Sequence, residues 1–300
     1  MESQSRTPPL IVIVGQTASG KTAVAIEVAK KLDGEIICAD SRTVYKQMNI
    51  GTAKPTFEEQ QGIPHHLIDI VNPDQPFSAA EFQRLAQKCI HEISSRGKIP
   101  IMVGGTGLYI DSVLYNFHFG EQADIVYRQE LEQMNDEQLT TLLHTKNIDM
   151  ANLNTKNRRH VIRAIEREGS AHVDKELRFN TLILGLNLGK EELIQRITTR
   201  TNQILSAGFL DEAEKLASNY GWECEAMTGY RVAKEYLEGT ATLDKVKAAF
   251  IQRDKSLAKR QRTWFKRNPH ILWFEDPTKL ISKAVDFINS QSLDSSRTIA

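Results

Sequence analysis

Eight residues constrain this chain more than any others: Gly15-Gln16-Thr17-Ala18-Ser19-Gly20-Lys21-Thr22. They fill the phosphate-loop pattern G-x-x-x-x-G-K-[ST] at every fixed position. The flanks suit that pattern, because Leu10 to Val14 reads as a buried strand and Ala23 to Leu32 as a helix. Gly15 and Gly20 let the backbone curl so that its N–H groups converge on phosphate oxygens. The helix N-terminus adds the positive end of its dipole. Lys21 supplies a point charge and Thr22 a hydroxyl suited to Mg²⁺. The segment specifies a phosphate chain as ligand without specifying that phosphate's fate.

The next segments alternate between strand and helix. Glu35 to Ala39 reads as a second strand that ends at Asp40-Ser41. Ligands of open α/β sheets sit beyond the carboxyl ends of strands, which brings Asp40 toward the phosphate loop; a plain turn or N-cap aspartate is the equal alternative. Tyr45 to Pro55 has no clean period and reads as a long loop or short helix. Pro64-His65-His66 leads into Leu67 to Val71, expected as a strand. Adjacent histidines on a strand face opposite sides, so local packing suits them better than a shared metal. Ser78 and Glu81 form a capping box for a helix to about Arg96, with Gly97 beyond its end. Ile99 to Val103 is a further strand, followed by Gly104-Gly105-Thr106-Gly107, either a close ligand passage or a tight turn, and a helix from Leu108 to Tyr115. This order predicts an α/β fold: a P-loop NTPase-like parallel sheet flanked by helices.

From residue 116 to 175 the texture changes to short polar helical stretches, expected at Asp136 to Thr145 and Thr155 to Glu168. Arg159, Arg163 and Arg167 share one face of the second, either to hold RNA or merely to be solvated. Strand character returns at Thr181 to Asn187. Helices follow at Lys190 to Ala207, carrying Arg196 and Arg200 on one face, and at Leu210 to Tyr220. After a turn at Ala226 to Arg231, Thr242 caps a long helix from Leu243 to about Lys266. His270 to Phe274 is expected as a last strand, and 291–300 as a disordered tail. The expected organisation is a core from 1–115 and 176–290 with a helical insertion domain at 116–175.

The formal net charge is zero, so affinity for a polyanion must come from local clustering. Such a cluster lies in the long helix: Arg253, Lys255, Lys259, Arg260, Arg262, Lys266 and Arg267 are opposed by Asp254 alone, with Trp264 and Phe265 among them. Basic residues interleaved with aromatics suit a nucleic-acid backbone and stacked bases. Three widely spaced cysteines with no C-x-x-C pair argue against a disulfide framework or zinc site. No long apolar span is visible, and a soluble cytoplasmic protein is expected.

Taken in order, these pieces resemble the tRNA dimethylallyltransferases, also called tRNA isopentenyltransferases, of the bacterial type. The resemblance rests on Gly15 to Thr22, Asp40 to Lys46 continuing through Gly51 to Pro55, Pro64 to Leu67, Val103 to Tyr109, Arg159 to Glu166, Gly229-Tyr230-Arg231, and Lys259 to Phe265. It implies transfer of a dimethylallyl group from dimethylallyl diphosphate to the N6 amine of the adenosine 3′ of the anticodon, in tRNAs reading codons that begin with U. It implies that the phosphate loop holds the diphosphate, with Mg²⁺ at Thr22 and help from Arg196 or Arg200. Asp40 would accept the proton of the amine, and Thr106 resembles a residue that contacts the tRNA across the channel. The tRNA-contact segments of the family align with Asp40, Ser41, Arg42, Thr43, Arg128, Arg159, Arg163, Gly229, Tyr230, Arg231, Lys259, Arg260, Gln261, Arg262, Thr263 and Trp264. A monomer is expected. Three rivals share part of this pattern: a phosphate-loop kinase, an adenylate isopentenyltransferase acting on free nucleotides, and an RNA-binding protein with a vestigial loop.

Overall fold

A computed structural model describes residues 8–119, 125–150, 153–166 and 176–297. The chain divides into two compact units, Met1–Leu114 with Leu177–Ala300, and Tyr115–Glu176. In chain order, the first unit begins with β1 (Pro9–Gly15), α1 (Lys21–Leu32), β2 (Gly34–Ala39), α2 (Phe57–Gln60), β3 (His65–His66), α3 (Ala79–Ser95), β4 (Ile99–Gly104) and α4 (Gly107–Leu114). The second unit contributes α5 (Ile125–Gln133), α6 (Asp136–Thr145) and α7 (Arg158–Glu166). The first unit resumes with β5 (Asn180–Leu186), α8 (Lys190–Ser206), α9 (Phe209–Tyr220), α10 (Lys234–Leu237), α11 (Leu243–Phe265), β6 (Ile271–Phe274) and α12 (Pro277–Arg297).

The strands form one parallel sheet in the order β3-β2-β4-β1-β5-β6. β1, β2 and β4 are almost wholly buried, as near-continuous apolar runs covered on both faces should be. Parallel pairing aligns their carboxyl ends: Val14 pairs with Gly104, and Gly104 with Ala39. The phosphate loop, Asp40 and Thr106 therefore emerge side by side from three adjacent strands. No spare room exists at that junction, since a Cβ on Gly104 would meet the Ala39 carbonyl oxygen at 2.0 Å.

Two expectations are corrected. Leu67 to Val71 is not a strand, because Leu67 (φ 63°) and Asp69 (φ 54°) take left-handed conformations that interrupt extended backbone. The sheet edge ends at His66, and Val71 makes only an isolated bridge to Tyr45. His65 and His66 do serve separate packing roles: His65 Nδ1 bonds the Ile63 carbonyl at 2.8 Å, and His66 Nε2 bonds Glu35 at 2.7 Å. The segment from 291 is not an irregular tail as far as 297, because α12 continues through it. Leu280 and Ala284 are buried, and Ile281, Phe287 and Ile288 join the same core cluster, so one apolar face drives the helix. Residues 298–300 lie outside the described residues. The second unit has its own small core, built by Leu131, Leu139, Leu143, Ile162 and Ile165. Among the described residues, no helix is long and apolar enough to cross a membrane.

Candidate active site

The phosphate loop has the features of an anion cradle. Gly20 is the N-cap of α1 with φ 89°, a conformation glycine adopts without strain. No side chain caps the helix and no acid occupies its first turn, so the first N–H groups of α1 have no capping side chain as acceptor. Ala18 is also left-handed (φ 61°), which completes the curl from Gly15 to Gly20. Ser19 Oγ is buried without a hydrogen-bond partner among the described residues. Lys21 Nζ lies 3.3 Å from the Gln16 carbonyl oxygen. Burial lowers the Lys21 pKa to about 8; Asp40 opposes the shift and Arg200 adds to it. An ammonium so weakly compensated is suited to a multiply charged anion.

α8 closes one side of this cradle. A cavity of about 510 Å³ is bounded by Gly20, Lys21 and Thr22 on the loop side and by Arg196, Thr199 and Arg200 on α8. Arg196 donates to the Ser19 carbonyl at 3.4 Å and pairs with Glu192 at 2.8 Å. Arg200 Nη1 donates to Thr17 Oγ1 at 3.2 Å, and its Nη2 to the Thr52 carbonyl at 3.3 Å, while its buried Nε has no partner among the described residues. Burial lowers the Arg200 pKa, with the nearby Asp254 carboxylate the largest opposing influence.

A second cavity, about 100 Å³, adjoins the loop and contains Asp40. Lys21, Thr22 and Arg200 supply cationic and hydroxyl groups to it; Cys38, Val103 and Leu257 supply apolar surface. Asp40 Oδ1 accepts from the Arg42 amide at 2.8 Å, and Thr106 Oγ1 accepts from the Ser41 amide at 3.0 Å. These bonds fix the strand ends against one another. Thr43 is buried, and its Oγ1 has no partner among the described residues. The structure thus brings Gly15 to Thr22, Asp40 to Thr43, Thr106, Arg196 and Arg200 into one locality.

The expected RNA-contact residues divide. Lys259, Arg260, Arg262, Thr263 and Trp264 are exposed on α11. Trp264 Nε1 donates to Asp111 at 2.7 Å, and its ring covers Gly107. Burial raises the Asp111 pKa to about 6, against the effect of the Trp264 bond. Gln261 is not a surface residue: it is 7% exposed, and its Oε1 accepts from the Thr17 amide at 2.7 Å. Tyr230 is likewise buried, 2% exposed in a cluster with Phe209 and Phe250. Gly229 offers its carbonyl to Arg253, and the exposed Arg231 donates to the carbonyls of Trp222 and Glu223. In the second unit, Arg128 forms a two-pronged ion pair with the buried Glu166 carboxylate at 2.6 and 2.7 Å, which neutralises the charge expected to meet RNA. Arg163 is exposed on α7. The Arg159 side chain and Arg167 lie outside the described residues.

Two carboxylates escaped the sequence reading. Glu212 accepts from the amides of Asn49, Ile50 and Gly51 at 2.9 to 3.0 Å, and from the Tyr230 hydroxyl at 2.6 Å. It holds the loop whose Thr52 carbonyl bonds Arg200. Asp254 is buried on α11, paired with Arg253 at 2.9 Å and electrostatically coupled to Arg200. Its place on the buried stripe of α11, four residues from Phe250 and from Ala258, was the available signal. Glu212 offered none, because the loop amides it gathers lie more than 160 residues away.

A family model described as IPP transferase matches residues 43–268. A tRNA dimethylallyltransferase of Macrococcus caseolyticus is 42% identical over 296 residues, covering 93% of this chain and 95% of that protein. A solved tRNA delta(2)-isopentenylpyrophosphate transferase from Staphylococcus epidermidis is 37% identical, with a TM-score of 0.72 and coverage of 95% and 99%. A eukaryotic dimethylallyltransferase, solved in crystallographic snapshots acting on tRNA, is 27% identical with a TM-score of 0.83, covering 95% of this chain and 80% of that one.

Proposed function

This chain belongs to the IPP transferase family, and from that premise we propose that it is a tRNA dimethylallyltransferase working as follows. The dimethylallyl group of dimethylallyl diphosphate passes to the N6 amine of the adenosine 3′ of the anticodon, in tRNAs reading codons that begin with U. The products are N6-isopentenyladenosine and diphosphate. The observation that carries the residue assignment is the small cavity shared by Lys21, Thr22, Arg200 and Asp40. Cationic groups for a leaving diphosphate and a carboxylate for an amine proton stand in one space, with apolar Cys38, Val103 and Leu257 for a five-carbon group.

The diphosphate lies on the loop amides between Gly15 and Thr22. Lys21 and Arg200, with Arg196 at the rim, neutralise its negative charge as it departs. The N6 lone pair forms a bond to the allylic C1, and the C1–O bond breaks with its electrons going to the diphosphate. Alkylation acidifies the amine, and the Asp40 carboxylate takes its proton. Thr106, bonded to the Ser41 amide, keeps the Asp40 turn in register with β4. The adenine leaves the anticodon-loop stack to reach this depth. The exposed Lys259, Arg260 and Arg262 meet phosphates, and Trp264 offers a stacking face.

Among the described residues, no group of three His, Cys, Asp or Glu is arranged to hold a metal. The Thr22 hydroxyl beside Asp40 nevertheless fits Mg²⁺, which retains waters and takes phosphate oxygens rather than a protein cage. Thr22 would hold the ion, and the ion would add positive charge to the diphosphate. The loop, Asp40 and α11 all come from one chain, in keeping with a monomer; a tRNA substrate is in keeping with the cytoplasm.

A transfer assay tests the reading. Purified protein is incubated with dimethylallyl diphosphate, Mg²⁺ and an anticodon stem-loop RNA bearing the adenosine, with AMP in a parallel tube. Prenylated RNA without prenylated AMP is expected. Prenylated AMP alone would move the protein to free nucleotides, and ATP hydrolysis without prenyl transfer would make it a kinase.

A further inference from the structure

α11 presents two faces to two different chemistries. Val246, Phe250, Asp254, Ala258, Gln261 and Phe265 are its buried residues, recurring at spacings of three and four. Lys259, Arg260, Arg262, Thr263 and Trp264 occupy the exposed remainder of the same turns. Gln261 sits inside the basic run in sequence but on the opposite side of the helix in space.

Its contacts are with the phosphate loop. Gln261 Oε1 accepts from the Thr17 amide at 2.7 Å. A reciprocal bond runs the other way, from Gln16 Nε2 to the Ala258 carbonyl at 3.1 Å. Both bonds are buried. Thr17 is held a second time, through its hydroxyl, by Arg200. The Gln261 amide nitrogen in turn lies over Gly105, where a Cβ would meet it at 2.2 Å. A loop needs a fixed backbone to aim several amides at one anion, and buried, fully satisfied polar contacts are what fix it.

We propose that Gln261 is a positioning residue for the donor rather than an RNA contact: it holds the phosphate loop in its diphosphate-binding conformation. Gly105 is required so that the Gln261 carboxamide can reach across to Thr17. The proposal rests on the reading of the phosphate loop as the diphosphate site. Gln261→Met keeps the side-chain length and burial but leaves the Thr17 amide without an acceptor. Gly105→Ala displaces the same carboxamide without altering Gln261. Arg262→Ala, on the exposed face, is the contrast.

The test measures steady-state transfer with donor and stem-loop RNA varied separately, RNA affinity without donor, and thermal melting for each variant. Both Gln261→Met and Gly105→Ala are expected to raise KM for dimethylallyl diphosphate about tenfold, with RNA affinity and saturating kcat within about twofold of wild type. Arg262→Ala should weaken RNA and leave the donor KM alone. Unchanged donor KM in Gln261→Met would overturn the proposal, as would weakened RNA binding with donor KM intact. Parallel loss of donor affinity, RNA affinity and melting temperature would make Gln261 a packing residue and overturn it too. Failure of the underlying reading looks different: wild-type protein would then neither bind nor consume the donor.

Discussion

Asp40 and Lys21 line the same cavity, one with a carboxylate and the other with an amine. Asp40 gives one oxygen to the Arg42 amide, and under the proposed mechanism the other takes the amine proton. Asp40→Asn is isosteric and cannot take that proton. Single-turnover transfer should fall about 10²- to 10⁴-fold, while RNA affinity measured by filter binding stays within about twofold. An equal loss of both would reduce Asp40 to an orienting role. Lys21 carries a pH signature. Its pKa of about 8, lowered by burial, means that it is cationic below that value and neutral above it. Donor affinity measured without RNA should therefore weaken as pH rises through about 8, and Lys21→Arg, which stays charged, should flatten the profile. Lys21 was legible as a phosphate-loop lysine from its motif, whereas the strand end placed Asp40 near the loop without choosing between a functional and a turn aspartate. Their mutual electrostatics were not legible, since burial is a property of the folded chain.

The loop from Asn49 to Thr52 shows what an element owes to a distant side chain. Its sequence has no period, and the resemblance assigned the partner motif at Tyr230 to RNA. In the fold, Glu212 gathers three consecutive amides of the loop and the Tyr230 hydroxyl, and the Tyr230 ring leaves no space for a Cβ at Gly51. Glu212→Ala strands all four donors and should destabilise the protein by about 3 kcal/mol in urea unfolding. Tyr230→Phe removes only one bond and should cost about 1 kcal/mol. Because Thr52 bonds Arg200, the first change should also raise the donor KM. If Tyr230 instead met RNA, Tyr230→Phe would weaken RNA with no change in stability. α11 teaches the converse lesson. Its inner stripe was open to inspection by helical spacing, yet the basic run was read as one unit, with Asp254 counted only as an opposing charge and Gln261 as an RNA contact, whereas both are buried.

At the scale of the whole molecule, the alternation of strands and helices was enough to predict a parallel sheet, and the candidate site lies at its carboxyl edge. Strand order was not accessible, because insertion of β4 between β1 and β2 depends on long-range pairing. The helix α12 was not foreseen; Leu280, Ala284 and Phe287, all before the stretch expected as a tail, form its apolar face once the β1 to β5 platform exists. The site's cost is distributed over this whole structure. A half-buried lysine and a buried arginine without full compensation oppose folding until an anion arrives. Dimethylallyl diphosphate at about 100 times its Kd should add about 2.7 kcal/mol, read as a higher Tm. Lys21→Met should raise the ligand-free Tm and abolish most of that increment. A ligand-free Tm below wild type would contradict this account of the cradle.

Trp264 gives the molecule an optical handle. Its indole is 37% exposed, lies over Gly107, and donates to a carboxylate with a pKa of about 6. The chain has three tryptophans, so replacing Trp222 and Trp273 with phenylalanine would leave this one as sole emitter. Its emission should change colour as Asp111 takes up a proton near pH 6, and should be quenched when a nucleobase stacks on the open face. Docking could then be followed in real time without attaching a dye to either partner.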